Sequence, residues 1–230
     1  MTIKFQAKGN RGEIWIYDPI GEDFWSGGVS AKQFQKELSG LGNVTTINVR
    51  INSPGGDVFD GFAIYNQLMA HPADIEVDVD GVAASIASIV AMAGNTIRMA
   101  KNSMMMIHNP QGIAVGDANE MERVKALLEQ VKGNLITTYV DRTGNSKTDV
   151  SAWMDDETWF TAEAAVERGF ADVVTNDSKV AACFDLSRFR NVPQTLRERL
   201  TAAVPKPALD IHRARIARVR QVIAAGAAAA

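Results

Sequence analysis

The 230-residue sequence has few of the residues that build disulfides and metal centres. Its single cysteine, Cys183, cannot form a disulfide within the chain. The three histidines, His71, His108 and His212, are far apart and lack the spacing of zinc ligands. Neither a Walker loop nor a Gly-x-Gly-x-x-Gly motif is present, which argues against a nucleotide site. These absences predict a protein that uses no metal and no organic cofactor.

Long apolar runs are also missing from the sequence. No window approaches the ~20 apolar residues that a membrane-spanning helix requires, and residues 1–11 are too polar for a secretory signal. We therefore expect a cytoplasmic protein with no membrane association. With 46% hydrophobic and 22% charged residues, the composition is that of a globular protein and excludes general disorder.

Charge divides the chain into two parts. Residues 183–230 contain nine Lys or Arg and three Asp or Glu, which gives them a net charge of +6. Because the whole chain has a net charge of −3, residues 1–182 carry −9. We predict a folded domain over 1–182 and a basic, partly helical extension over 183–230, with a Pro-rich hinge at 204–207. The extension suits a partner-binding helix better than a nucleic-acid arm, because it has few aromatic residues for base stacking.

Within the first part, strand and helix patterns alternate, which predicts an α/β fold. The predicted strands cover residues 13–18, 46–52, 75–80 and 104–108, and the predicted helices cover 30–38 and 58–70. Ser30 and Gln33 have the spacing of a capping box at the start of the first helix. The strand at 75–80 alternates apolar and acidic residues, so its sheet is partly open or lies at an interface.

A third, longer helix is predicted to begin after Asp117, with Glu120 in its first turn. Its apolar residues recur at spacings of three and four along one face, at Met121, Val124, Leu128, Val131 and Leu135. A helix this long on a compact domain is either a lid or a surface that packs against another subunit.

Two turns rich in small residues follow predicted strands. The first, at 52–56, contains Gly55 and Gly56, whose backbone can approach a ligand and point N–H groups into an opening. The second, at 81–87, places Ser85 among alanines at the start of a helix. Ser85 is either an N-cap or a nucleophile. In the second case the N–H groups of Gly56 and Ile86 would bind the oxyanion.

A serine nucleophile requires a base and a group that orients it. His108 ends a predicted strand and is the best placed histidine, because His71 precedes a proline at a helix exit and His212 lies among arginines. The candidates for the orienting carboxylate cluster in residues 154–159. Two alternatives without catalysis remain open: His108 could be a structural histidine, and residues 52–56 could be only a tight strand-to-helix turn.

These motifs resemble the ClpP family of serine peptidases. The segments that carry the resemblance are 52–56, 81–85, 106–110, 142–144 and 160–169, in the family's order, and they span roughly residues 13–174. The resemblance implies a ClpP/crotonase-type α/β fold of repeated β-β-α units with a protruding long helix. It also implies homo-oligomeric rings, a heptamer or a double ring.

The same resemblance assigns roles to individual residues. It makes Ser85 the nucleophile, His108 the general base, and the amides of Gly56 and Ile86 the oxyanion hole. Ile86 stands where the family has methionine, which leaves its amide unaffected. The family's catalytic aspartate falls on Glu157, with Asp156 as the alternative third member.

Three features differ from the usual pattern of the family. In these features the sequence resembles the family's head maturation (prohead) proteases of tailed phages and prophages. Only about ten residues precede the first predicted strand, some fifty follow the family's last strand, and the third triad position reads Glu157-Thr158-Trp159. This resemblance implies that phage scaffold and capsid proteins are the substrates. It also implies that the protein works in the bacterial host cytoplasm, inside the procapsid, where a basic tail could dock on an acidic scaffold.

Three other functions are compatible with the sequence. The first is a housekeeping peptidase that works with an ATP-driven unfoldase. The second is acyl-CoA chemistry of the crotonase type, which needs no serine nucleophile. The third is a non-enzymatic protein that assembles a shell.

Overall fold

A computed structural model describes residues 4–21, 28–178, 184 and 186–203. Strands and helices alternate along this part of the chain, as the sequence predicts. The strands are β1 (Lys4–Lys8), β2 (Arg11–Ile16), β3 (Thr46–Ser53), β4 (Asp74–Ala84), β5 (Thr96–Ala100), β6 (Met104–Ile107), β7 (Thr158–Thr161) and β8 (Val173–Thr175). The helices are α1 (Ala31–Gly40), α2 (Val58–Met69), α3 (Ile86–Ala91), α4 (Ala118–Thr143), α5 (Lys147–Asp155), α6 (Ala162–Glu167) and α7 (Gln194–Ala203).

The described strands form one mixed sheet in the order β1-β2-β3-β4-β5-β8. β1 pairs antiparallel with β2, and the remaining pairs along this order are parallel. β4 is long enough to serve two neighbours, because Glu76–Val79 pair with β5 while Val82–Ala84 pair with β6. β7 then adds antiparallel to β6. The predicted α/β class is confirmed, and the branch at β4 brings β6 beside the end of β4.

Local capping fixes the starts of the helices. The Ser30 hydroxyl accepts a hydrogen bond from the amide of Gln33 at 3.4 Å, and the Asp117 carboxylate accepts one from the amide of Glu120 at 3.0 Å. Each bond satisfies an amide in the first turn that has no partner within the helix. The predicted starts of α1 and α4 are therefore confirmed.

The alternation predicted for residues 75–80 is also confirmed. Ile75, Val77 and Val79 are buried in the main core, where β3 and the helices α1 to α3 also place their apolar side chains. The opposite face carries ion pairs, since Arg98 Nε lies 2.7 Å from Asp78 Oδ1. The buried Asp80 carboxylate accepts a hydrogen bond from the Tyr17 hydroxyl at 2.5 Å. The sheet therefore has one apolar and one polar face along this stretch.

Several element boundaries differ from the predicted ones. The strand predicted at 13–18 lies at Arg11–Ile16, because it pairs residue by residue with Thr46–Ile51. The strand predicted at 75–80 continues to Ala84 through its pairing with β6. β1 was not predicted, because most of its side chains are exposed and its stability comes from backbone pairing with β2.

The long helix α4 buries less of its apolar stripe than the sequence predicts. Val131 and Leu135 are buried, while Met121 is exposed and Val124 and Leu128 are only half-buried. The N-terminal half of α4 therefore extends from the protomer with part of its apolar surface uncovered. The predicted hinge at 204–207, Cys183 and His212 lie outside the described residues. No helix in the described segments is long and apolar enough to cross a membrane.

Candidate active site

Ser85 sits where β4 turns sharply into α3. Its φ of 56° and ψ of −130° lie in a region that residues with a Cβ rarely adopt, and its side chain makes no capping bond to α3. The backbone is fixed by a 2.9 Å hydrogen bond from the Ser85 amide to the Met106 carbonyl. The turn thus presents an uncapped hydroxyl, as a nucleophile requires, and its backbone strain is of the kind found at functional positions.

His108 lies within hydrogen-bonding distance of this hydroxyl. Its Nε2 atom is 2.7 Å from Ser85 Oγ. The contact follows from the sheet, because Ala84 pairs with Met106 and both strands end at the same edge. The next residue, Asn109, anchors this end of β6, since its amide donates to the Met154 carbonyl and its side chain donates to the Asp155 carboxylate.

The environment of His108 keeps its imidazole neutral near pH 7. Burial lowers the pKa of His108 to about 4, the neighbouring Glu157 charge opposes this shift, and Arg188 and Arg190 add to it. A neutral imidazole can accept the proton of a serine hydroxyl. The pair is therefore in the protonation state that nucleophilic attack requires.

The glycine turn after β3 lies directly against Ser85. Ser53 is buried and organises the turn, because its hydroxyl donates to the Asp18 carbonyl and accepts from the Gly55 amide. Gly55 has a φ of +80°, and a Cβ there would lie 2.8 Å from Ser85 Cβ and 3.1 Å from the Ile86 nitrogen. Only a residue without a side chain fits in this position.

The two predicted oxyanion amides belong to Gly56 and Ile86, the residues that follow Gly55 and Ser85 in the sequence. The bridge between Ile20 and Gly56 uses the Ile20 amide to Gly55 and the Asp57 amide to Ile20, so the Gly56 N–H takes no part in it. Ile86 is the first residue of α3, and its side chain packs against α2, where a Cβ on Gly61 would lie 2.1 Å from Ile86 Cγ1. As the first residue of α3, Ile86 has a backbone N–H with no acceptor within the helix.

Glu157 and Asp156 have different environments. Glu157 is 1% exposed, has a φ of 51°, and follows the end of α5, whereas Asp156 is exposed. Glu157 Oε1 accepts a 2.7 Å hydrogen bond from the Asn191 amide, and Glu157 Oε2 has no hydrogen-bond partner among the described residues. The carboxylate is close enough to influence the pKa of His108, but its hydrogen bond is made to the C-terminal extension.

Sequence reasoning missed the residues of the extension that reach this site. Phe189 packs edge-on against the His108 ring, with centroids 5.5 Å apart, and Arg188 donates to the Pro54 carbonyl. The available signal was the set of apolar residues at 186, 189, 192 and 196 within a basic segment. That spacing indicates a segment with one buried face.

The two described histidines each have a partner of their own, and for His108 it is the Ser85 hydroxyl. His71 Nδ1 accepts a hydrogen bond from the Ala73 amide at the exit of α2. Within the described segments, no group of three or more His, Cys, Asp and Glu side chains could hold a metal ion.

Comparison with known proteins identifies the family of this chain. The family model described as Clp protease matches residues 14–178. The ATP-dependent Clp protease proteolytic subunit of Bacteroides fragilis is 35% identical over 150 residues, which cover 63% of this chain and 72% of that protein. The Bacteroides thetaiotaomicron protein of the same name is 33% identical over 150 residues, covering 63% and 68%.

A third relative gives the same result. The ATP-dependent Clp protease proteolytic subunit 1 of Protochlamydia amoebophila is 35% identical over 130 residues, which cover 55% of this chain and 63% of that protein. The matched region includes the end of β2, all of β3 to β8, and the predicted site residues Gly56, Ser85, Ile86, His108, Asp156 and Glu157. The chain therefore belongs to the Clp protease family and is a serine-type peptidase of the ClpP kind.

Proposed function

We propose that this chain hydrolyses peptide bonds through an acyl-enzyme formed on Ser85. The observation that carries the proposal is the 2.7 Å contact between Ser85 Oγ and His108 Nε2. Ser85 Oγ attacks the peptide carbonyl carbon while its proton passes to His108 Nε2. The oxyanion accepts hydrogen bonds from the amides of Gly56 and Ile86. His108 then protonates the leaving amine, and water, deprotonated by His108, releases the acyl group.

We assign the third catalytic position to Glu157 rather than Asp156. The buried Glu157 carboxylate acts on the pKa of His108 in the direction that favours the imidazolium ion. That is the electrostatic role of the orienting acid in a serine triad. Asp156 is exposed, so water would screen its charge.

A substitution at Gly55 tests the oxyanion assignment. In Gly55→Ala, the new Cβ would lie 2.5 Å from the Ala84 carbonyl oxygen and 2.8 Å from Ser85 Cβ, at a φ of +80°. The turn must then move away from Ser85 and carry the Gly56 amide with it. We expect kcat to fall about 10²- to 10³-fold, the loss typical of one oxyanion donor. The measurement is hydrolysis of a fluorogenic peptide.

Gly42→Ala is the matched control for this prediction. Gly42 has a φ of +68°, but a Cβ there meets nothing within 4 Å. Both variants therefore carry backbone strain, and only Gly55→Ala disturbs the site. Full activity in Gly55→Ala would contradict the assignment of the Gly56 amide.

The assembly that we propose is a homo-oligomeric ring. The exposed apolar side chains of Met121 and Leu127 on α4, and of Ile113 and Val115 before it, support a contact between protomers. We retain the division into a peptidase domain of residues 1–182 and a basic extension of 183–230 as part of this proposal. The number of protomers in the ring is measured directly by mass photometry.

For the substrates, we propose scaffold and capsid proteins of a phage head. Two features support this finer assignment: the chain continues beyond the family match at residue 178, and residues 183–230 carry a net charge of +6. A basic extension can bring an acidic scaffold protein to the peptidase by charge attraction.

The experiment is co-expression of the chain, wild type or Ser85→Ala, with the scaffold and capsid proteins encoded by the same genome. Intact mass of the products should show truncated scaffold or capsid protein with the wild type only. Unprocessed head proteins with both forms would contradict the phage assignment. Normal shells that require the Ser85→Ala chain but show no cleavage would support a non-enzymatic assembly protein instead.

A housekeeping peptidase is the second candidate function. It is favoured by the names of the relatives, which are ATP-dependent proteolytic subunits. Degradation of a folded, tagged substrate that requires both ATP and an added unfoldase would support it.

A further inference from the structure

Residues 186–198, which we call the strap, cover one end of the sheet beside the candidate site. The strap buries its apolar side chains against the ends of β4, β6 and β7, apart from the main core. The residues of this second cluster are Val82, Ala84, Met106, Leu186, Phe189, Val192 and Leu196, with Trp159 packed against them. The strap is therefore a packed part of the protomer.

Two adjacent strap residues contact the nucleophile side of the site. Arg188 Nη2 donates a 2.5 Å hydrogen bond to the Pro54 carbonyl, which belongs to the glycine turn beside Ser85. The Phe189 ring meets His108 edge-on at 5.5 Å and Trp159 at 5.8 Å. The catalytic imidazole is thereby in contact with an apolar side chain of the strap.

The next two residues hold the third catalytic position. The Asn191 amide donates to Glu157 Oε1 at 2.7 Å, and the Asn191 side chain donates to the Asp156 carbonyl at 2.6 Å. Arg190 donates to the Asp155 carbonyl, and its Nε lies 3.9 Å from Glu157 Oε2. The hydrogen bond of the Glu157 carboxylate therefore goes to the strap, and none joins it to His108 among the described residues.

These contacts oppose catalysis in two ways. A peptide carbonyl that Ser85 attacks must come between the glycine turn and His108, and Arg188 and Phe189 each contact one of these two groups. Proton transfer also makes the imidazole positive, and the positive charges of Arg188 and Arg190 disfavour that state. The chain thus places steric and electrostatic obstacles at its own site.

We propose that the strap is an autoinhibitory segment, which excludes peptide substrates while it is seated and holds Glu157 away from its catalytic hydrogen bond. Displacement of the strap then opens the apolar surface of Val82, Met106 and Trp159 to substrate and frees Glu157 for His108. This inference rests on the proposed function of Ser85 and His108.

The test is a full-length variant that carries Arg188→Ala and Phe189→Ala together. Two quantities are measured: hydrolysis of fluorescein-labelled casein, and hydrogen exchange of the amides of residues 186–198. The second readout reports strap release independently of catalysis. We expect exchange to accelerate and hydrolysis to rise about tenfold or more, because the fraction of open molecules limits the apparent rate.

Lys36→Ala is the matched control, because Lys36 is an exposed basic residue on α1, which contributes neither to the site nor to the proposed contact between protomers. It should leave both readouts unchanged. Asn191→Pro is a second route to release, since it removes the amide that binds Glu157 and keeps the Phe189 contact. Thermal melting identifies any variant that has not folded, and each conclusion is drawn from a folded one.

Faster exchange without faster hydrolysis, or unchanged exchange in both release variants, would overturn the strap proposal. In the first case the peptidase assignment survives if wild type already cleaves casein and Ser85→Ala does not. A third outcome is accelerated exchange in variants that neither cleave casein nor react with a fluorophosphonate at Ser85. That outcome would overturn the proposed function and the strap proposal together.

Discussion

Ser85→Ala is expected to lower kcat for peptide hydrolysis by about 10⁵- to 10⁶-fold, the loss seen when a serine nucleophile is removed. The hydroxyl makes its one described hydrogen bond to His108 Nε2 and caps no helix, so its removal leaves only His108 Nε2 without this partner. We therefore expect the free energy of unfolding to fall by about 1 kcal/mol, the net loss of one hydrogen bond. Fluorophosphonate labelling, read by intact mass, should disappear at the same time.

Ser88→Ala is the matched control for this prediction. Ser88 lies one turn along α3 and is buried, and its hydroxyl donates to the Ser85 carbonyl at 2.5 Å and accepts from the Tyr139 hydroxyl at 2.8 Å. Its loss leaves the buried Tyr139 hydroxyl without this partner and should cost about 1–3 kcal/mol of stability. Because Ser88 bonds to the backbone carbonyl of Ser85 and not to the reacting Oγ, the folded variant should retain hydrolysis and labelling. Persistent hydrolysis in Ser85→Ala would remove Ser85 from the mechanism.

Glu157→Gln is expected to lower kcat by about 10³- to 10⁴-fold, as when the orienting acid of a serine triad loses its charge. Glutamine preserves the volume of this buried side chain and its carbonyl can still accept from the Asn191 amide, so the fold should persist. The change also removes the charge that raises the pKa of His108. The acid limb of the kcat/KM profile should therefore move to lower pH.

Asp156→Asn separates the two carboxylates that the sequence left as alternatives. The exposed Asp156 side chain should tolerate the change with less than about a threefold effect on kcat, and the acid limb should not move. The reverse pattern, with Asp156→Asn inactive and Glu157→Gln active, would transfer the third role to Asp156. Both variants are best measured beside the strap-release variant, where Glu157 is expected to be free.

Much of the candidate site could be predicted from the sequence, because its signals are local. Ser85 and the glycine turn each lie in a short motif of small residues that follows a predicted strand. His108 is the last residue of another predicted strand. Caps such as Ser30 and Asp117 act over three residues, so their spacing predicts the helix starts that the structure has. The alternation at 75–80 likewise predicts one buried face.

Other features depended on partners distant in sequence. β1 has no apolar pattern of its own, and it is a strand because β2 offers backbone partners. The end of β4 becomes a strand through β6, and that pairing sets the Ser85 to His108 distance. In the same way, Glu157 and Asp156 are adjacent and similar in the sequence, and only packing makes one buried and the other exposed.

By itself, the sequence determined the fold class, the helix starts and the family of the catalytic motifs, since each depends on residues a few positions apart. The tertiary structure decided which carboxylate is buried and where the strap lies. Arg188 is 134 residues from Pro54, and Asn191 is 34 residues from Glu157. Contacts at such separations leave no periodicity in the chain, because they depend on how the whole sheet brings its strand ends together.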